Sequence, residues 1–371
     1  MTEREALDAA ALDAAGRHTR KEDHVRLAAA QWTGGGPRSD FDDVAFVHHA
    51  LGAVAVEEVD PSVEMLGRRV AWPFYINGMT GGTEHTGRIN RDLAIAARET
   101  GIAMACGSMS IALDDAEAAR AFTVIRDENP DGLVMANLGV GRTAEDAARV
   151  VEMLRADALQ LHVNAVQETV MPEGSPEFGS WLRGIEEIVR ASPVPVLVKE
   201  VGFGLSPRTL LRLQELGVEW ADVSGRGGTD FLRIENDRRP GGDYAYLTGF
   251  GQSAPACLLD AAATAELSPG PVLLASGGVR SPLDVLRALA LGARAVGVAG
   301  AFLTAVDSGG PDALVPLLRT WQDHLRDLSA LLGARTPADL AHTDVLIRGG
   351  LREYCELRGI EAGRYSRRSE D

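Results

Sequence analysis

No stretch of this 371-residue chain approaches the roughly 18 consecutive apolar residues that a membrane-spanning helix needs, so no membrane span is expected. Positive charge is scarce as well. With 37 basic and 53 acidic residues the formal net charge is -16, which argues against general binding to nucleic acid or anionic membranes. Any anionic ligand must therefore be held by a local cluster. Only three cysteines occur, Cys106, Cys257 and Cys355, far apart and without a CxxC pair, so neither a zinc site nor a disulfide framework is expected. Each reads as a small buried apolar residue in a reducing compartment. The acidic, alanine-rich start lacks a basic segment followed by an apolar block, and the expected location is the cytoplasm. Also missing is a GxGxxG fingerprint with a helix directly behind the first strand, the signature of an open dinucleotide-binding sheet.

What is present is a rhythm. From about residue 70, short β-branched runs alternate with longer stretches rich in Ala, Leu and Arg. The strand candidates are VAWPFYIN, GIAMAC, GLVMANL, ADALQLHV, PVPVLVKEV, EWADVS, PVLLAS and ARAVGV. The intervening helices carry start signals: Ser206-Pro207 and Ser281-Pro282 each place an N-cap residue before proline, and Thr143 with Asp146 makes a capping box. Eight strand and helix units over this length predict an α/β fold, a (β/α)8 TIM barrel across residues 70–335. Residues 1–69 form an N-terminal extension with a helix near 21–32. Asp312–Leu332 reads as a long closing helix, and 336–371 as a charged, frayed helical tail.

Barrel enzymes build their sites from the loops after the strands, and here nearly every such loop carries glycine. The seventh and eighth, with Gly278, Val279 and Arg280 and then Ala299-Gly300, offer backbone N–H groups beside a helix start, the usual phosphate position in barrels. Lys199 ends an otherwise apolar strand. A barrel-interior lysine is costly unless it meets an anion or a polar ring, so it is either a Schiff-base nucleophile or a cofactor contact. Polar residues at Thr80, Ser108 and Asn137 suit the edge of a flat heterocycle and favour a flavin mononucleotide.

The stretch Leu161–Gly174 is the densest in chemistry. It follows the fourth strand with His162, Asn164, Gln167 and Glu168, without helical periodicity, and Pro172 and Gly174 predict a loop in which no helix engulfs the acid. Near the N-terminus, Arg20, Lys21, His24 and Arg26 form a basic cluster that suits either an anion or the solvated face of an amphipathic helix.

These segments resemble the type 2 isopentenyl diphosphate isomerases, flavin-dependent barrels. The likeness rests on RKEDHVR, FDDVAFVHHAL, INGMTGG, GSMS, HVNAVQE with PEG, VKEVG, SGRGGTDF, IENDRR, GQS and SGGVR. It implies isomerisation of isopentenyl diphosphate to dimethylallyl diphosphate with reduced FMN, NADPH as reductant, and Mg2+. It further implies that Thr80, Ser108, Asn137, Lys199, Ser224, Thr229, Gly278 to Arg280, Ala299 and Gly300 hold FMN. By the same resemblance Arg20, Lys21 and His24 bind the substrate diphosphate, joined by His162 and Asn164, His162 and Gln167 are the catalytic residues with Gln167 near the reacting carbons of the substrate, and Glu168 carries the metal. Family members are homotetramers or homo-octamers. The family often has alanine at Gly78, a difference of little expected steric consequence, and an aspartate at Ser175.

The alternative is an FMN-dependent oxidoreductase of the 2-hydroxyacid oxidase type, on the same barrel. That chemistry needs a histidine base after the sixth strand, where this chain has Ser224-Gly225-Arg226. A non-enzymatic flavin-binding scaffold is disfavoured by the Arg20-Lys21 pair that the resemblance assigns to a diphosphate.

Overall fold

The structure is a computed structural model that describes residues 19–32 and 38–369. Eight parallel strands close into a barrel. In chain order they are β1 (Phe74–Ile76), β2 (Ala103–Ala105), β3 (Val134–Gly139), β4 (Ala158–Val163), β5 (Val196–Glu200), β6 (Trp220–Asp222), β7 (Val272–Ser276) and β8 (Val296–Val298). Each pairs with the next, and Val296 opposite Phe74 completes the circle. The (β/α)8 expectation holds, with all eight predicted strands in place.

Period-two alternation explains how the barrel positions a site. Outward residues such as Phe74, Val134, Leu161 and Val198 pack under the helices, while Tyr75, Met135, Ala158, Leu197 and Leu274 point into the barrel. Towards the carboxyl ends of the strands the inward set turns polar: Gln160 and His162 on β4, Asn137 on β3, Lys199 on β5, Asp222 on β6 and Ser276 on β7. Val63, Met65, Leu66 and Val70, from the hairpin Val63–Met65 and Arg68–Val70, join the inner apolar cluster.

The helix starts behave as their caps require. The Thr143, Ser206 and Ser281 side chains each accept a backbone N–H at the start of the following helix. A helix over residues 19–31 turns Val25 and Ala28 into the core, with Lys21 and His24 buried beside them. No helix among the described residues is long and apolar enough to cross a membrane. All three cysteines are buried and free.

Two segments differ from expectation. The closing helix runs Gly300–Leu331, directly from β8, and breaks at Gly309 and Gly310, whose φ angles are -158° and 60°. Its second half begins where Asp312 was expected to start it. Nor does the tail fray: Val345–Ile347 pairs antiparallel with Val44–Phe46, and Leu351, Cys355 and Tyr365 are buried. These apolar residues, spaced among charges, supply the burial that holds the segment down.

Candidate active site

Two cavities lie over the carboxyl ends of the strands. The larger, about 590 Å³, receives Ser108, Asn137, His162, Asn164, Gln167, Glu168 and Lys199 from the barrel, and Arg20, Lys21 and His24 from the 19–31 helix. The narrower, about 60 Å³, lies between the ends of β6, β7 and β8 and is lined by Ser224, Thr229, Gly278, Val279, Ala299 and Gly300. Lys199, Gly78, Met79, Val201 and Phe231 line both, so the two adjoin. Two sequence-predicted residues line neither. The Thr80 hydroxyl is buried without a partner among the described residues. Arg280 is captured by Asp42 and Asp284, and its own backbone N–H donates to Asp284 Oδ2 at 3.0 Å. The Asp42 hydrogen bond holds its protonation firmly, and a guanidinium between two carboxylates does not face the cavity.

A buried amide chain fixes His162. Gly78 N–H and Gln160 Nε2 both donate to Asn77 Oδ1, at 3.0 and 3.4 Å, and Asn137 Nδ2 donates to Gln160 Oε1 at 3.1 Å. That leaves Asn137 Oδ1 as acceptor for His162 Nδ1 at 2.8 Å, which assigns the proton to Nδ1 and leaves Nε2 a free base. Burial, reinforced by Lys199 and Lys21, pushes the His162 pKa down to about 3, so the ring is neutral. Lys199 Nζ donates to Glu200 O at 2.9 Å and to Ser224 Oγ at 3.3 Å. Burial lowers its pKa while Asp222 and Glu200 support the charge. Ser224 adopts φ 35°, a left-handed conformation that costs a non-glycine residue energy and aims its hydroxyl at this lysine.

Glu168 is not in a loop. Asn164 stands at the N-cap position of a short helix, Ala165–Val170, that contains both Gln167 and Glu168 and ends just before Pro172. Asn164 Nδ2 donates to Glu168 Oε1 at 2.9 Å and to Gln167 Oε1 at 3.3 Å, so one amide orients both. The other Glu168 oxygen accepts from Ser175 N–H at 3.1 Å. No group of three or more His, Cys, Asp or Glu suited to a metal occurs among the described residues. A single carboxylate fits Mg2+, which keeps several waters and takes further oxygens from a phosphate.

The least legible residue is Glu235, on the helix Phe231–Arg238. Its carboxylate is fully buried and accepts from His24 Nε2 at 2.9 Å, from Gln167 Nε2 at 2.7 Å and from Arg238. Burial alone would raise its pKa, but these donors hold it down to about 2. One oxygen thus ties the N-terminal helix to the β4 side of the cavity. A signal existed: Leu232, Glu235 and Asn236 share the i, i+3, i+4 face that is buried. Lys21 is 7% exposed, its ammonium 3.4 Å from Ser108 O, and burial with Arg20 nearby lowers its pKa to about 8. Arg26 lies outside the cavity and pairs with Asp23 at 3.0 Å.

Residues 130–347, more than half of the chain, match the family described as FMN-dependent dehydrogenase. Isopentenyl-diphosphate delta-isomerase of Kitasatospora griseola is 57% identical over 350 residues, covering 94% of this chain and 95% of that protein. The chain belongs to this isomerase family. The proteins of the same name from Streptomyces sp. (strain CL190) and Staphylococcus saprophyticus are 55% and 43% identical, over 94% and 93% of this chain and 95% and 98% of their own. Among solved structures, a mandelate oxidase variant with benzaldehyde superposes at TM-score 0.64, with 20% identity over 91% of this chain and 98% of that one. A flavocytochrome b2 variant with sulfite bound gives 0.64 and 23%, over 81% and 75%. These likenesses show the barrel fold alone.

The donor set fits the flavin nucleotide of this family. Thr229, which lines the narrow cavity, carries a buried hydroxyl with no partner among the described residues. The β6 and β7 loops approach so closely that a Cβ on Gly277, at φ 89°, would overlap the Gly225 carbonyl oxygen. Gly78 matters more than expected: a Cβ there would overlap the Cys106 carbonyl, so this backbone lies nearer β2 than alanine permits without movement.

Proposed function

We propose that this isomerase interconverts isopentenyl and dimethylallyl diphosphate, using FMN reduced by NADPH and a Mg2+ ion. Moving the double bond of an unactivated alkene requires a proton added at one carbon and removed from another, through a state of cationic character. Bound reduced flavin supplies an electron-rich, proton-bearing ring capable of acid and base work without net redox change. The chain's own residues do the rest. Lys21 and Arg20 face the diphosphate, with His24 and Asn164 completing its polar contacts, while Glu168 holds the metal that neutralises it. Gln167, locked between Asn164 and Glu235, presents its amide to the alkene, and His162, fixed with Nε2 free, stands opposite as a neutral hydrogen-bonding base. In the adjoining narrow cavity, Ser224, Thr229, Gly278, Val279, Ala299 and Gly300 take the ribityl phosphate end, with Lys199 at the junction.

The observation that carries this reading is the delivery of Arg20 and Lys21, from outside the barrel, to the cavity that holds Gln167 and Glu168. Hydroxyacid oxidation is disfavoured because that chemistry needs a histidine base after β6, where this chain has Ser224-Gly225-Arg226. The test is an anaerobic assay. The yellow protein should bleach under NADPH and convert isopentenyl diphosphate with Mg2+ only once bleached; turnover with oxidised flavin refutes the mechanism.

A further inference from the structure

The helix that carries Arg20, Lys21 and His24 into the larger cavity ends beside the narrower one. The residue after it, Trp32, has no part in the function described above. Its side chain is 7% exposed and lines the narrow cavity, and its indole Nε1 has no hydrogen-bond partner among the described residues. An indole N–H is a donor and nothing else, and a buried donor left unpaired is costly. The ring reaches this position only because Gly300 lacks a side chain: a Cβ there would overlap the indole nitrogen. Gly300 opens the helix after β8, whose first N–H groups have no acceptor within the helix and no side-chain cap. Across the cavity stand the Gly277 and Gly278 backbone, and among the described residues no acidic side chain lines it, in a chain whose net charge is -16. The pocket is a set of donors around a small space, with one donor unassigned.

We infer that Trp32 donates its indole N–H to the phosphate of the flavin nucleotide, and that glycine at position 300 is required to admit it. This rests on the reading that FMN is the cofactor and that its phosphate fills the narrow cavity. Trp32 is then a positioning residue, and the helix that serves the substrate also touches the cofactor's far end.

The test compares FMN with riboflavin, which lacks the phosphate, by titrating each into flavin-free protein and following the quenching of flavin fluorescence. Trp32→Phe keeps an aromatic ring and removes the donor, so the FMN Kd should rise about tenfold while the riboflavin Kd stays unchanged. Gly300→Ala should cause the same selective loss in the native background and a much smaller one added to Trp32→Phe, because the hydrogen bond it disrupts is already gone. Unaltered riboflavin binding shows in each case that the variant is folded. Trp32→Phe with native FMN affinity overturns the inference, and so does an equal loss of FMN and riboflavin, which would make the indole a packing element. If native protein binds neither flavin, the reading beneath fails, and the inference with it.

Discussion

Replacing Lys21 with methionine should make the substrate-free protein more stable and its diphosphate complex weaker. The ammonium is buried, its nearest hydrogen-bond acceptor is the Ser108 carbonyl at 3.4 Å, and Arg20 adds repulsion. Its pKa falls from 10.5 to about 8. Because the folded value lies below the unfolded one, the unfolded chain holds this proton more tightly. The cost of folding around the charge is therefore full below pH 8 and vanishes as pH rises to 10.5. At about 1.36 kcal/mol per pH unit, that cost is about 3 kcal/mol. An unfolding entropy of about 0.8 kcal/mol/K for a chain this long converts it to a rise in Tm of about 4 °C. Thermal melts at pH 7 and pH 10.5 should show the gap at the first and its closure at the second. Inorganic diphosphate with Mg2+ should then stabilise the native protein well beyond Lys21→Met. A variant that melts no higher than native at pH 7, or equal protection of both by diphosphate, refutes the reasoning.

Glu168→Ala should lose the Mg2+ dependence of turnover and nearly all activity while keeping its flavin spectrum; a colourless variant would place this carboxylate on the cofactor instead. For His162, burial sets the folded pKa at about 3, below the unfolded value near 6.5. The unfolded chain thus takes up a proton first as pH falls, and stability drains away from pH 6.5 towards 3. His162→Asn should lose less stability than native between pH 6.5 and 4 in urea melts, and equal losses would disprove the assignment. Gly277→Ala, strained at φ 89° and overlapping the Gly225 carbonyl, should purify with little bound FMN and destabilise the protein by more than about 2 kcal/mol, read by absorbance and melting.

The barrel was legible because its signals are local. A β-branched run, a polar end and a capped helix each span a few residues, and Thr143, Ser206 and Ser281 cap as their sequence context demands. Most candidate residues followed, since a strand's carboxyl end fixes where its next side chains point. What escaped depends on partners far away in the chain. Arg280 reads as a phosphate ligand until Asp42, 238 residues earlier, arrives to bind it. In IENDRR, Glu235 gains its role only when His24 and Gln167 converge on it. The helix around Glu168 is hard to read because Pro172 and Gly174 signal a break so soon after it, although Asn164 stands at the position that starts it. Trp32 gave no signal, because its position depends on an absent side chain at Gly300.

The pairing of Val44–Phe46 with Val345–Ile347 has a consequence for synthesis. Asp43, beside that strand, accepts the backbone N–H groups of Arg348 and Leu351, and its neighbour Asp42 grips Arg280 at the edge of the phosphate loop. An early segment of the chain thus waits for one made some 300 residues later before the loop gains its outer brace. A chain cut short before residue 345 would keep every residue assigned to cofactor and substrate but lose this brace, and should retain less flavin through gel filtration than the full chain.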